Sequence, residues 1–359
     1  MRDSRLEAPR AAFQRDHTLA KQGLSKTYGG QPMTKTRSIK PTSSIKSTAP
    51  TDRSPAVSAP HAPQSKPLAG HQRLGLLLGL VGVTAFALTL PMTRLALVSF
   101  DPWFIGFGRA ALAGLVAGLI LLLTRQPRPN RGDLLLLGLV SLGVVFGFPL
   151  FSTWAMQDLP ASHGGVVLGV LPLATAVGGA LLAKERPSLG FWLVSFLGSA
   201  VVIGYSLSKG DGSLALADWA LLAAVAAAAL GYTQGALLTP RLGAWQTICW
   251  ALVISLPVTL PLSLWLLPTQ GWKELAWPAG LSFLYVSLIS QLAGFFAWYR
   301  GMALGGVAKV GQLQLLQTFI TLAVAALLLG ERVGWDEALA ALLVLCLVAA
   351  GRRMPVRKA

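Results

Sequence analysis

The sequence predicts an all-α polytopic membrane protein of ten transmembrane helices, arranged as two inverted five-helix repeats. Three observations carry that prediction. The chain is 53% apolar and only 12% charged, with mean hydropathy +0.60, a composition foreign to soluble enzymes. Ten stretches between residues 74 and 351 approach the roughly 20 apolar residues that a helix needs to cross a bilayer. Finally, LLAKER at 181–186 returns as LLLGER at 327–332, so that Glu331 follows Glu185 by 146 residues.

The expected spans are 74–94, 103–123, 133–154, 162–183, 189–207, 219–239, 245–267, 278–299, 307–329 and 335–351. No water in the bilayer core can satisfy exposed backbone groups, and the runs are too long for barrel strands, so each is a helix. Trp103, Trp154, Trp192, Trp219, Trp245, Trp277, Trp298 and Trp335 fall at span ends, as an interfacial aromatic belt requires.

Residues 1–73 differ in kind. They are rich in Ser, Thr and Pro and carry 13 Lys and Arg against 4 Asp and Glu, a net +9 that supplies more than half of the chain's +16. That composition predicts a disordered basic cytoplasmic tail, or a start of translation further along the chain. An organelle transit peptide fits less well, because Asp3 and Glu7 lie where such peptides avoid acids. Deleting residues 2–66 is expected to leave membrane insertion and transport nearly intact, measured with the folded protein recovered from membranes. A large loss would show that the tail contributes to folding.

With the N-terminus inside, 24 Lys and Arg lie on the cytoplasmic side against 4 outside, and without the tail the ratio is still 11 to 4. Both termini are therefore expected in the cytoplasm. The 146-residue offset divides the spans into a first repeat at 74–207 and a second at 208–351, followed by a basic cytoplasmic C-terminus at 352–359. Five is odd, so the second half enters the membrane from the opposite side. Inverted repeats of this kind build secondary transporters, whose halves alternate access around a midplane site.

Several classes of function are excluded on residue chemistry. Cys249 and Cys346 each stand alone in an apolar span, and His17, His61, His71 and His163 are scattered, so neither a metal site nor a cofactor site is expected. The basic tail has no aromatic pattern for base stacking, and no nucleic-acid partner is expected. An intramembrane enzyme would need a nucleophile with its base. Ser152 and His163 are the nearest approach to one, with only the loop residue Asp158 between them as an acid. The expected partners are a small-molecule substrate and the lipid bilayer, and the oligomeric state stays open.

Ten helices in two halves, each fourth helix closing on a Leu-rich run and Glu-Arg, with Pro172 thirteen residues before Glu185, resemble the drug/metabolite transporter superfamily, specifically its EamA-type permeases. The resemblance covers residues 74–351. Arg109, in the second span, matches an arginine common in that family. The second half has Thr318 where a proline often stands, and Ser255 at the position equivalent to Arg109. The resemblance implies a transporter of small organic metabolites, amino acids or similar amphipathic solutes, working by alternating access and in export. A bacterial plasma (inner) membrane is its expected location. A sugar-phosphate or lipid-linked cargo on the same fold is the alternative.

The polar residues inside the spans nominate a site. At 100° per residue Gln314, Gln317, Thr318 and Thr321 share one helix face, from which Gln312 is excluded. Such amides either face a substrate path or bond neighbouring helices. Ser287, Gln291, Gly294 and Trp298 form a similar face in the eighth span. Trp298 reads as an interface anchor before a gate. In the fourth span Gly165, Gly169, Pro172, Ala176 and Gly179 make a small-residue stripe, with Pro172 as a helix break whose repeat mate is Thr318. Phe86 and Tyr232 are also repeat mates, and Thr84, Thr89, Tyr232 and Gln234 are further candidates. Arg109 attracts an anion, bonds carbonyls or snorkels outward, the last two being favoured. Glu185 and Glu331 end their helices at opposite surfaces as gate or interface residues, pairing with Arg186 and Arg332. No carboxylate is expected mid-span.

Overall fold

A computed structural model describes residues 69–182, 185–209, 214–267, 276–352 and 356–358. Among the described residues, seven helices are long and apolar enough to cross a membrane: α1 (His71–Ala96), α2 (Pro102–Leu123), α3 (Arg131–Ala155), α4 (Ala161–Leu182), α6 (Leu216–Leu242), α7 (Ala244–Leu266) and α8 (Trp277–Gly305). The other three expected spans are also helical, as α5 (Leu189–Lys209), α9 (Gln314–Leu329) and α10 (Trp335–Arg352). A short antiparallel ladder joins Glu185–Pro187 to Val356–Lys358.

Local chemistry sets where the helices start and turn. The Asp101 carboxylate accepts the backbone N–H groups of Trp103 and Phe104, and Pro102 sits in the first turn, so α2 begins there. Asn130 caps α3 in the same way through Asp133 N–H. α6 meets α7, and α8 meets the short helix before α9, through single residues, Gly243 at φ 93° and Gly306 at φ 87°. A side chain there would be strained, which is why both joints are glycine.

Several spans are interrupted. α1 is broken at Leu88, three residues before Pro91. α3 contains a π-helical segment at Ser141–Gly147, and α8 contains one at Tyr285–Ala293. The two segments overlap under the 146-residue offset, since Ser141 maps to Ser287 and Gly147 to Ala293. π-Bulges of this kind concentrate at functional positions. α4 passes through a 3₁₀ turn at Leu168–Val170, just before Pro172. The expected ninth span is not continuous: Val307–Gly311 is a separate helix, and a turn at Gln312–Leu313 precedes α9.

Packing follows a regular plan. α1 lies along α8 and α3 along α6, α2 crosses α7, α4 meets both α6 and α9, α9 also touches α1, and α5 lies along α10. Glycines let the closest pairs approach. Gly75 and Gly79 of α1 face Gly301 and Gly305 of α8, while Gly143 of α3 faces Gly231 of α6. The outward faces remain apolar, with Leu122, Leu135, Phe196 and Leu327 among the exposed side chains, as a lipid-facing surface requires.

Candidate functional site

Inside the bundle α1, α2, α3, α6 and α8 enclose a chamber of about 10 Å³, lined by Phe86, Thr89, Arg109, Val144, Phe148, Tyr232, Ser290, Gln291 and Phe295. Arg109 is 1% exposed. Its Nη2 donates to Ser290 Oγ at 3.2 Å, and the Ser290 and Thr89 hydroxyls share a hydrogen bond of 2.7 Å. The apolar wall is aromatic. Phe86 and Tyr232, the repeat mates, stack with ring centroids 5.9 Å apart, and Phe295 lies 4.9 Å from Phe86 and 5.8 Å from Tyr232.

Interruptions in the helices explain how backbone enters this site. In α3 the N–H of Phe148 bonds the Gly143 carbonyl, five residues back, which leaves the Val144 carbonyl facing Pro149, a residue without an N–H. Gln291 Nε2 donates to that carbonyl at 2.8 Å. α1 repeats the logic: Pro91 cannot bond the Ala87 carbonyl, and Thr321 Oγ1 of α9 does so at 2.7 Å. Tyr285 OH similarly reaches the Ala85 carbonyl at 3.0 Å, beside the break at Leu88.

A second polar layer lies between α9 and α4. Gln314, Gln317, Thr318 and Thr321 are all buried. Thr175 donates to Gln314 Oε1 at 3.3 Å, and Gly165 and Gly169 are the small residues against which Thr321 and Thr318 fit. The small stripe of α4, Pro172 included, thus meets the polar stripe of α9. Gln317 Oε1, Gln314 Nε2 and Thr318 Oγ1 are buried without a hydrogen-bond partner.

Of the residues nominated from sequence, Gln291 and Tyr232 line the chamber, whereas Gln314, Gln317, Thr318 and Thr321 form the neighbouring layer. Ser287 is buried, but its hydroxyl donates to Phe283 O in its own helix. Thr84 is exposed and bonds Leu80 O; Thr89, on another face of α1, is the threonine in the chamber. Trp298 is no interface anchor. It is fully buried against Phe86 and Tyr232, because α8 continues to Gly305 beyond the expected end. Arg109 does not snorkel. Gln312 is not a neutral residue either: the turn at Gln312–Leu313 changes the helical phase, and its side chain is 7% exposed with Oε1 unpaired.

The helix ends hold further polar contacts. Glu331 is placed differently from its expected pairing with Arg332: Oε1 and Oε2 accept the N–H groups of Ala161 and Ser162 at 2.9 and 2.8 Å, capping α4. Glu331→Ala is expected to lower stability by about 1 kcal/mol, read as a small drop in melting temperature, since the first turn of α4 loses its acceptor. The side chains of Glu185 and Arg186 lie outside the described residues. His163 Nε2 and Asp218 Oδ1 are 2.7 Å apart in a buried pair, and Asp133 pairs with Arg241. Sequence reading missed both pairs, whose members lie far apart along the chain. Ser152 donates to Phe148 O at 2.6 Å, so the imagined nucleophile and base are each engaged elsewhere.

Larger hollows, about 580 Å³ beside Trp192 and Phe196 and about 670 Å³ beside Trp103 and Trp219, are open and almost wholly apolar. They lack the few convergent polar groups that orient a solute. Apolar helices long enough to span a bilayer, packed around a buried polar and aromatic chamber, make this an integral membrane protein. Comparison with known proteins agrees: a model of the EamA-like transporter family matches twice, over residues 73–207 and 215–350. A Bacillus subtilis (strain 168) protein named uncharacterized transporter YdeK is 49% identical over 279 residues, covering 78% of this chain and 97% of its own. A crystal structure at 16% identity aligns over 77% of this chain and 97% of its own with a TM-score of 0.56, a likeness of fold alone. The chain belongs to the EamA-like transporter family.

Proposed function

We propose that the protein carries small organic metabolites, amino acids or similar amphipathic solutes, by alternating access around the buried chamber, in the direction of export. The observation that carries this reading is the chamber lining, which draws on α1, α2 and α3 from one family-matched half and α6 and α8 from the other. Hydroxyls, an amide and one cation opposite aromatic rings complement a solute with a polar head and an apolar tail. A sugar-phosphate would call for several cations, and Arg109 is the one among the lining residues.

Two inverted five-helix repeats, 74–207 and 208–351, are the architecture this mechanism needs. The double family match supports them, and so does the packing plan, in which α1 on α8 mirrors α6 on α3 and α4 on α6 mirrors α9 on α1. In a chamber of about 10 Å³ there is room for roughly one water, so cargo enters only when the helices part. The unpaired atoms of Gln314, Gln317 and Thr318 then face the path opened between α4 and α9.

Tags after Arg128 and Gly243 are expected on the cytoplasmic side of a bacterial plasma membrane, as are both termini, with tags at Gly210 and Gly271 on the other side. Arg128 and Gly210 on the same side would defeat the inverted arrangement. Transport is tested by uptake and efflux of labelled amino acids in inside-out and right-side-out vesicles. Accumulation in inside-out vesicles supports export, and movement of no metabolite in either orientation sinks the carrier reading.

A further inference from the structure

Arg109 is the one charged side chain among the residues that line the chamber. Guanidinium stays protonated in proteins, and a charge at membrane depth is costly unless compensated. Here Nη2 meets the Ser290 hydroxyl at 3.2 Å, while Nε and Nη1 are buried without a partner. Among the described residues no carboxylate pairs with it: Asp133 is held by Arg241, Asp218 by His163, and Glu331 by the first turn of α4. The one cation of the chamber lining thus keeps two buried nitrogens without a partner, among hydroxyls, the Gln291 amide, Val144 and aromatic rings.

We infer that Arg109 docks the anionic head group of the cargo, a carboxylate, while the cargo's apolar tail lies against Phe86, Tyr232 and Phe295. The inference rests on the carrier reading and adds to it the sign of the cargo's charge. The rings alone would suit an organic cation through their negative faces. A fixed guanidinium in the same chamber repels a cation at short range, where little solvent screens it, so the charge decides against the rings. Guanidinium also matches carboxylate in shape and donates charge-assisted hydrogen bonds, the stronger kind.

Three probes with one tail and different heads test this: phenylacetate, 2-phenylethanol and phenethylamine, with binding to the purified full-length protein in nanodiscs read by calorimetry and by thermal shift. Phenylacetate is expected to bind at least about tenfold more tightly than the other two, the usual scale of one charge-assisted contact. Arg109→Gln should erase that preference and leave the melting temperature without ligand unchanged or higher, because an uncompensated buried charge is gone. Arg109→Lys, which keeps the charge and loses the fork, should retain a reduced preference. A purely structural arginine gives the reverse pattern, with a lower melting temperature and intact selectivity, and that result overturns the inference. Tighter binding of phenethylamine or phenylethanol overturns the anionic head group but leaves a metabolite carrier standing. If none of the three binds, and no amino acid moves in the vesicle assay, the carrier reading falls and the anion site with it.

Discussion

Gly301→Val is expected to abolish recovery of folded protein, seen as loss of the monodisperse peak when detergent-solubilised material is chromatographed. A Cβ on Gly301 would stand 2.8 Å from Gly79 N and 2.9 Å from Gly75 O, contacts that real Cβ atoms do not make. The obstructing atoms are backbone, so no rotamer change relieves them, and α1 must move away from α8. Overpacking typically costs about 1–3 kcal/mol where side chains can shift. Here the displaced element carries Phe86 and Thr89 into the chamber, so the loss should reach or exceed the top of that range. Gly138→Val is the control: it makes the same change within a helix, at an exposed position with nothing within 4 Å of the added atom, and should behave as wild type. Normal yield of Gly301→Val would show that α1 and α8 do not approach this closely.

The second large effect separates two glutamines that the sequence treats alike. Gln291→Leu removes the donor to the Val144 carbonyl, which Pro149 and the π turn have already left without a backbone partner. A buried acceptor stranded in this way costs about 1–3 kcal/mol, so the melting temperature should fall by a few degrees and transport should be lost with it. Gln317→Leu removes an amide whose Oε1 has no partner, so stability should hold or rise while transport per folded molecule falls. Thermal melts and vesicle transport on both variants decide the matter. An undiminished melting temperature for Gln291→Leu would dismiss its bond to α3, and unchanged transport by folded Gln317→Leu would remove that residue from the path.

Some contacts around the candidate site are legible in the sequence, for identifiable reasons. Phe86 and Tyr232 are repeat mates by their 146-residue spacing, and the two rings stack. The small stripe of α4 and the polar stripe of α9 were each readable from helical periodicity, and they meet. Periodicity failed where the helix did. Gln312 was set aside as lying off the polar face, a calculation that assumes an unbroken helix through a segment that contains a turn. Trp298 was assigned to the interface by its distance from an expected span end, but α8 runs on to Gly305 and keeps the ring inside. Thr84 and Thr89 could not be ranked without knowing which side of α1 meets its neighbours.

The sequence by itself determined that the chain lives in a membrane and that both its halves belong to one family, because hydrophobic length and duplication are properties of the chain taken in order. Tertiary structure alone decided what the buried polar groups do. Arg109 can point to lipid headgroups, to carbonyls or inward, and the choice belongs to Ser290, 181 residues away, and to the rings around it. The backbone carbonyls of Ala87 and Val144 become binding partners only because a proline four or five residues on withholds its N–H and another helix brings Thr321 or Gln291 within reach. In an apolar medium with no water to take the place of a missing partner, each such pairing depends on the three-dimensional approach of helices distant in sequence.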